Sequence, residues 1–401
     1  MGKKTIVIWG AGKIGRGVVA DMFSEAGYRL ILVRRSSGFV SKLCQAGHYT
    51  VVRAHSDGRR EARVIRGYRA LTTAQSEELA EEVVNADLVC VTVQPQDLAE
   101  VARQLAPCIL ARRRHRASAS LGILVCANMV SVGKKFRSLL EDRLPNAVRD
   151  YFDERIGVVE TLSRRAAVNP PSELLRNDPL QVWISGEPRL VADRAAFKGA
   201  IPDLSHFELV DNIEGLSAHK MFFGNMVHSL VAYHGALWGY RLMRESISDQ
   251  RILAEAEGAL GESSRSLQAQ YDLAPEVMSH YKDRLFRQMR SSALDDTVRR
   301  VGGNPLRKLG RDDRLVGAAL LARKHGIATP HLSRAVAAAL MFDPGDDPAA
   351  SSIQRLVRES GLQAAIQEVC GLGHEEGDVV ENIVQAHHQL CSENPWTKGR
   401  I

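Results

Sequence analysis

At 401 residues, with 45% apolar and 25% charged side chains, the chain has room for two or three domains and the composition of an ordinary globular protein. Its net charge of +6 is modest for this length and leans toward an anionic ligand. No run approaches the roughly 18 continuous apolar residues of a membrane span, and none reads as a signal peptide, so a cytoplasmic chain without a membrane partner is expected.

Thr5–Trp9 reads as a buried strand, short and rich in branched apolar residues. Gly10, Gly12 and Gly15 follow in GxGxxG spacing, and Gly15–Ala26 has a helical pattern. Strand, glycine turn and helix in that order form the context in which this spacing holds a dinucleotide. The glycines permit a tight turn and close approach to a pyrophosphate, and the helix N-terminus supplies N–H groups and a favourable dipole. Gly10, Gly12 and Gly15, with the intervening Lys13 and Ile14, are therefore the candidate cofactor loop.

A second strand, Arg29–Val33, ends in Arg34, Arg35, Ser36 and Ser37. A carboxylate at this point would accept from the ribose 2′-hydroxyl of NAD, whereas a guanidinium offers paired donors to the extra phosphate of NADP. Arg34 and Arg35 thus predict NADP. NAD stays open as the alternative, with both arginines then simple loop residues.

Helical "TAQSEELAEEVVNA" leads to a strand at Asp87–Val93, and Gly122–Cys126 and "LQVWISGE" (180–187) read as further strands. The intervening "ARRRHRASAS" (111–120) reads as a solvated loop. It lacks interleaved aromatics and any recognition motif, so nucleic acid is not expected as a partner. "NPPSELLRNDP" reads as an irregular connection. Alternating strands and helices predict a parallel sheet covered on both faces. From about Ala195 strand signals give way to helical periodicity. The expected fold is α/β plus α: a Rossmann-type doubly wound sheet over residues 1–194, then an all-helical domain over 195–401. Six cysteines without CxxC spacing suit reduced, mostly buried thiols.

No tyrosine is followed by Lys four residues later, and neither HExxH nor a zinc-ligand cluster occurs, so no metal is expected. The apolar segment "HKMFFGNMVHSLVAYHG" carries Lys220, Asn225 and His228, which on a regular helix fall within an arc of about 140°. Gly224 lies one turn from Lys220 and from His228, a possible slot for a small substrate. Desolvation lowers a lysine's pKa and makes the amine a base. On the residues alone, a rim lysine with Asn and His satisfied in a core fits equally well.

"K-x4-N-x2-H", "CANMV" (126–130) and "DDTVRRVGGNPLRKLGRDDRL" (295–315) resemble the mannitol-1-phosphate 5-dehydrogenase branch of the mannitol dehydrogenase family, long-chain, metal-independent polyol dehydrogenases. "RNDPLQV", "FKGAIPDL", "LVDN" and "FDPGDDP" extend the likeness over essentially the whole chain. The resemblance implies that Lys220 is the general base, that Asn225 and Asn128 stabilise the alkoxide, and that His228 orients the substrate oxygen or the lysine. It also implies that Thr92, Val93 and Gln94 line the cofactor. Arg307, Lys308 and Arg314 become candidates for a substrate phosphate, with structural ion pairing as the alternative. One departure stands out: where relatives have Asp before Arg, this chain reads "LSRRAAVNP", and Arg164 there becomes a candidate for an anionic group. The implied activity is an NADP(H)-dependent interconversion of a secondary alcohol and a ketone on a small, phosphorylated, polyol-like substrate, by a monomer or small homo-oligomer. An NAD-linked mannitol-1-phosphate dehydrogenase and a non-catalytic nucleotide sensor are the alternatives.

Overall fold

Side chains along an extended strand alternate between faces, and the central strands here are apolar on both. A computed structural model, describing residues 3–55, 57–165, 167–168, 170, 172–290 and 296–394, shows where those faces go. The chain forms two compact units, Met1–Ile213 and Glu214–Ile401.

Among its described residues the first unit contains twelve strands: β1 (Thr5–Trp9), β2 (Arg29–Arg34), β3 (His48–Ala54), β4 (Arg60–Arg66), β5 (Arg69–Thr72), β6 (Leu88–Val91), β7 (Leu121–Val125), β8 (Ile156–Ser163), β9 (Ala167–Val168), β10 (Val182–Ser185), β11 (Leu190–Asp193) and β12 (Phe207–Val210). Eight make one sheet in the order β12-β11-β8-β7-β6-β1-β2-β5. The run from β8 to β5 is parallel, and only the β11–β8 pairing is antiparallel. Its helices are α1 (Ala20–Glu25), α2 (Ser37–Ala46), α3 (Ser76–Asn85), α4 (Leu98–His115), α5 (Val132–Glu141), α6 (Arg149–Arg155) and α7 (Ser172–Asn177).

Val7, Trp9, Ile31, Val33, Val89 and Val91 point to one face and meet the apolar stripes of α3, α4 and α5. Ile6, Ile8, Leu30, Leu32 and Cys90 point to the other, toward α1, α2 and a second sheet of order β4-β3-β10-β9. Gly17 shows how closely that second sheet packs: a β-carbon there would lie 2.8 Å from Ile184 of β10.

Three local expectations are corrected. The arginine-rich stretch is no solvated loop, because α4 runs through His115 and Arg112 is 1% exposed. Its guanidinium donates to the carbonyls of Val83, Val84 and Ala86 at the end of α3 and to Ser120 O. Strands also persist past Ala195, since β12 pairs with β11 and carries the first unit to Ile213 rather than 194. The connection "NPPSELLRNDP" contains α7. Three of the six thiols (Cys90, Cys108 and Cys370) are buried and none is disulfide-bonded.

The second unit is helical among its described residues: α8 (Ile213–His219, its first residue closing the first unit), α9 (Met226–Leu237), α10 (Met243–Ser246), α11 (Gln250–Tyr271), α12 (Pro275–Arg290), α13 (Val298–Gly302), α14 (Pro305–Lys308), α15 (Val316–Lys324), α16 (Pro330–Leu340), α17 (Pro348–Ser360), α18 (Leu362–Cys370) and α19 (Gly377–Glu393). α9 is apolar all round and therefore central, packed by α10, α11, α13 and α16. No described helix is long and apolar enough to cross a membrane.

Candidate active site

The three loop glycines have three different surroundings. Gly10 has φ +97°, and a β-carbon there would lie 2.8 Å from the Thr92 carbonyl oxygen. At Gly15 a β-carbon would lie 2.5 Å from Gly10 O and 2.7 Å from the Thr92 hydroxyl. At Gly12 it would meet nothing nearer than Gly10 O at 3.8 Å, so the backbone there has an open face. Tight turn, close helix–strand packing and an approachable backbone are the three features a pyrophosphate site asks of this motif. These residues fit a dinucleotide.

Gly10 and Ala11 both donate to Val33 O at 3.0 Å, which ties the loop to the end of β2. Arg34 emerges there half-buried, its guanidinium 4.0 Å over the Phe39 ring and 3.4 Å from Ala11 O. Arg16 supports the same ring from 4.8 Å and donates to Ala11 O and to Leu180 O. Burial pulls its pKa down to about 10. Arg35 behaves differently: it is exposed and paired with Asp97 at 3.1 Å. Thr92 donates its hydroxyl proton to Gly10 O at 2.6 Å, beside Val93 and the exposed Gln94. Asn128 is half-buried in the loop between β7 and α5. Next to that loop, Glu160 of β8 is 4% exposed and accepts from the Gly133 N–H at 3.2 Å. Arg164 is exposed and lies 3.7 Å from Glu208 of β12.

In the second unit, α8 passes into a π-helical segment, Lys220–Asn225, before α9 begins. Met226 N–H bonds back to Met221 O, five residues earlier. An i→i+5 turn is wound more loosely than an α-helix, so Lys220 and Asn225 stand closer in direction around the axis than the roughly 140° that separates residues five apart on a regular helix. Met221, Phe222, Phe223 and Gly224 between them are buried, and Lys220 and Asn225 are only partly exposed. The expected slot at Gly224 is filled: a β-carbon there would lie 2.7 Å from the Tyr281 hydroxyl of α12, whose ring packs edge-on against His219 at 4.7 Å.

His228 follows one turn into α9. Its Nε2 is buried and accepts or donates no hydrogen bond among the described residues. Burial brings its pKa down to about 4; Asp296 opposes that shift, while Arg300, Arg314 and Lys308 reinforce it. The imidazole is therefore neutral at physiological pH. Lys308 is 5% exposed, donates to Val301 O, and is pushed down to about 7 by burial and by Arg314 and Arg307. Asp313 lies 2.7 Å from Arg314 and 3.6 Å from Arg307. Arg300 pairs with Asp296 one turn earlier.

Two family models match in chain order: the mannitol dehydrogenase Rossmann domain over residues 4–206 and the mannitol dehydrogenase C-terminal domain over 212–391. The chain belongs to the mannitol dehydrogenase family. Among solved structures it is similar to the ternary complex of Pseudomonas fluorescens mannitol 2-dehydrogenase with NAD and D-mannitol. The TM-score is 0.77 at 17% identity, over 98% of this chain and 92% of that one. A substrate-free D-sorbitol dehydrogenase gives a TM-score of 0.72 at 14% identity, over 98% and 94%. A ketopantoate reductase from Ralstonia eutropha JMP134 gives 0.55 at 16%, over 87% and 99%. At these identities the likeness is one of fold.

In this mannitol dehydrogenase family member, the helical unit brings Arg307, Lys308 and Arg314 into one charged cluster that His228 senses, while Arg164 belongs to the Rossmann unit. Ala166 and Asn169 of "LSRRAAVNP" and Asp295 of the "DDTVRRV" stretch lie outside the described residues. Sequence reasoning missed Arg300 and Asp296, which also act on His228. It missed Glu160 and Tyr281 as well. A signal for Arg300 was present, since it lies within the stretch "DDTVRRVGGNPLRKLGRDDRL", eight residues before Lys308; for Tyr281, 57 residues from Gly224, there was none. One described trio could offer metal ligands: His55, Glu61 and Glu187, with atoms within 4.8 Å of one another. The buried guanidinium of Arg53 already lies 2.7 Å from Glu187 and 3.5 Å from Glu61, so a side-chain cation serves these carboxylates.

Proposed function

We propose that the protein is an NADP(H)-dependent oxidoreductase that interconverts a secondary alcohol and a ketone on a small, phosphorylated, polyol-like substrate. The observation carrying this reading is the π turn that brings Lys220 and Asn225 toward one side of the helix, three residues before a neutral His228 with a buried Nε2, in a chain of this family. A bound nicotinamide supplies the hydride acceptor in oxidation and the donor in reduction. Lys220 takes the hydroxyl proton as the C–H bond is broken, and returns it in the reverse direction. The Asn225 amide donates to the oxygen as negative charge develops, and His228 orients it. The Gly10–Gly15 loop, Thr92, Val93 and Gln94 hold the cofactor, and Arg34 meets its 2′-phosphate.

The phosphorylated substrate is supported by charge. Arg300, Arg307 and Arg314, with Lys308 partly protonated near neutral pH, slightly outweigh the Asp296, Asp313 and Asp347 carboxylates that share their field. Such an excess favours an anionic group, whose arrival would hold Lys308 protonated. Cofactor-dependent reduction of ketose phosphates and their dephosphorylated counterparts, each with NADPH and NADH, tests both parts. Turnover is expected to be fastest with a phosphorylated ketose and NADPH. Equal rates on the unphosphorylated sugars would remove the phosphate from the reading, and equal kcat/KM with NADH would remove the NADP preference.

A further inference from the structure

We propose that Asp97 is a cofactor-specificity residue: by holding Arg35, it withholds one of the two arginines at the end of β2 from an adenosine 2′-phosphate. This rests on reading that edge of the sheet as the nucleotide site. The two adjacent arginines stand in different surroundings. Arg34 lies on the Phe39 ring at 4.0 Å and near Ala11 O, with no carboxylate on it among the described contacts. Arg35 turns away from β2 and meets Asp97 through both guanidinium nitrogens, NH1 at 3.1 Å from one carboxylate oxygen and NH2 at 3.4 Å from the other.

Asp97 closes the short 3-10 turn Pro95–Asp97 that leads into α4, 62 residues away in sequence. β1 lies between β2 and β6 in the sheet, so the pair reaches across the end of the strand that carries the glycine turn. Glu100, one turn further along α4, also lies within the field of Arg35. A 2′-phosphate arriving beside Arg34 would therefore compete with Asp97 for Arg35 and be repelled by the carboxylate as well. NAD carries a hydroxyl at that point and is nearly indifferent to either effect. The pair is exposed, with Arg35 at 70% and Asp97 at 25%, so it opens at small cost. Asp97 thereby moderates the preference for NADP that "RRSS" would otherwise set.

The test is titration of the full-length protein with NADPH and with NADH, by calorimetry or fluorescence, in wild type, D97N, R35A and the double variant. D97N is expected to tighten NADPH by about three- to tenfold and to change NADH by less than about twofold, with an unchanged melting temperature. R35A alone is expected to shift NADPH by less than about threefold, and in the double variant to abolish the gain from D97N. An unchanged NADPH-to-NADH ratio in D97N, an equal shift in both, or a gain that survives without Arg35 would each overturn the proposal. R34A keeps the two readings apart. If it weakens both nucleotides alike, the NADP assignment fails while the D97N ratio still reports on Arg35. Failure of the wild-type protein to bind either nucleotide would overturn both.

Discussion

Two alanine substitutions three residues apart in the glycine loop should have opposite consequences. At Gly15 the new methyl would lie 2.5 Å from Gly10 O and 2.7 Å from the Thr92 hydroxyl, with Ile8 at 3.2 Å. Two of these neighbours are bound to strand ends, so they cannot retreat without moving β1 or β6. Overpacking of this kind costs about 1–3 kcal/mol, which for a unit of this size lowers the melting temperature by roughly 2–10 °C. At Gly12 the methyl would meet nothing within 3.8 Å, and the backbone there needs no positive φ. G12A should melt within about 1 °C of wild type. Its methyl would nevertheless stand on the open face offered to the pyrophosphate, and a loss of at least about tenfold in cofactor affinity (about 1.4 kcal/mol) is expected. Differential scanning fluorimetry paired with nucleotide titration reads both quantities on the same samples. A G12A protein that binds NADPH and NADH as wild type does would refute the placement of the pyrophosphate. A G15A protein that melts unchanged would refute the packing argument.

The other expectations concern the base, the buried charge at the end of α4 and two desolvated histidines. K220A should reduce kcat by about 10²- to 10⁴-fold while leaving NADPH affinity within a few-fold; normal turnover would rule out the assigned base. R112M should leave the carbonyls at the end of α3 without their donor and lower stability by about 3 kcal/mol, read as a shift in the urea midpoint with m unchanged. His228 and His234 both titrate near 4 in the folded chain, driven down chiefly by burial, against 6.5 when unfolded. Between those values the unfolded chain binds more protons, so their contribution is complete above about pH 6.5 and fades as the pH falls toward 4. Acid unfolding should accordingly steepen in this window, and H234N should flatten it, as followed by circular dichroism from pH 7.5 to 4.

Much of the Rossmann unit was legible because its signals are local. β1, β2, β6, β7 and β10 are short runs of branched apolar residues, and Gly10, Gly12 and Gly15 follow β1 in the one order that makes the spacing meaningful. β3 and β4 were not legible, since "HYTVVRA" and "REARVIR" mix basic residues into a hairpin whose charges are answered only in three dimensions. Arg53, for one, is neutralised by Asp21 and Glu25 of α1, Glu61 of β4 and Glu187, from three separate segments. The arginines of α4 misled for the same reason: Arg112 is buried because the end of α3 supplies carbonyls, a fact absent from residues 111–120.

Within the candidate site the division is similar. The residue types Lys220, Asn225 and His228, the missing acid after β2 and the family motifs are properties of the linear chain, because chemistry and local periodicity are written residue by residue. The tertiary structure decided how they are deployed. Packing introduced a π turn that realigned Lys220 and Asn225, placed Tyr281 over Gly224, and gave Arg34 an aromatic ring but Arg35 a carboxylate. Electrostatic partners and steric neighbours act through distance in space, and for Arg35 and Asp97 that distance is 3.1 Å across 62 residues of sequence.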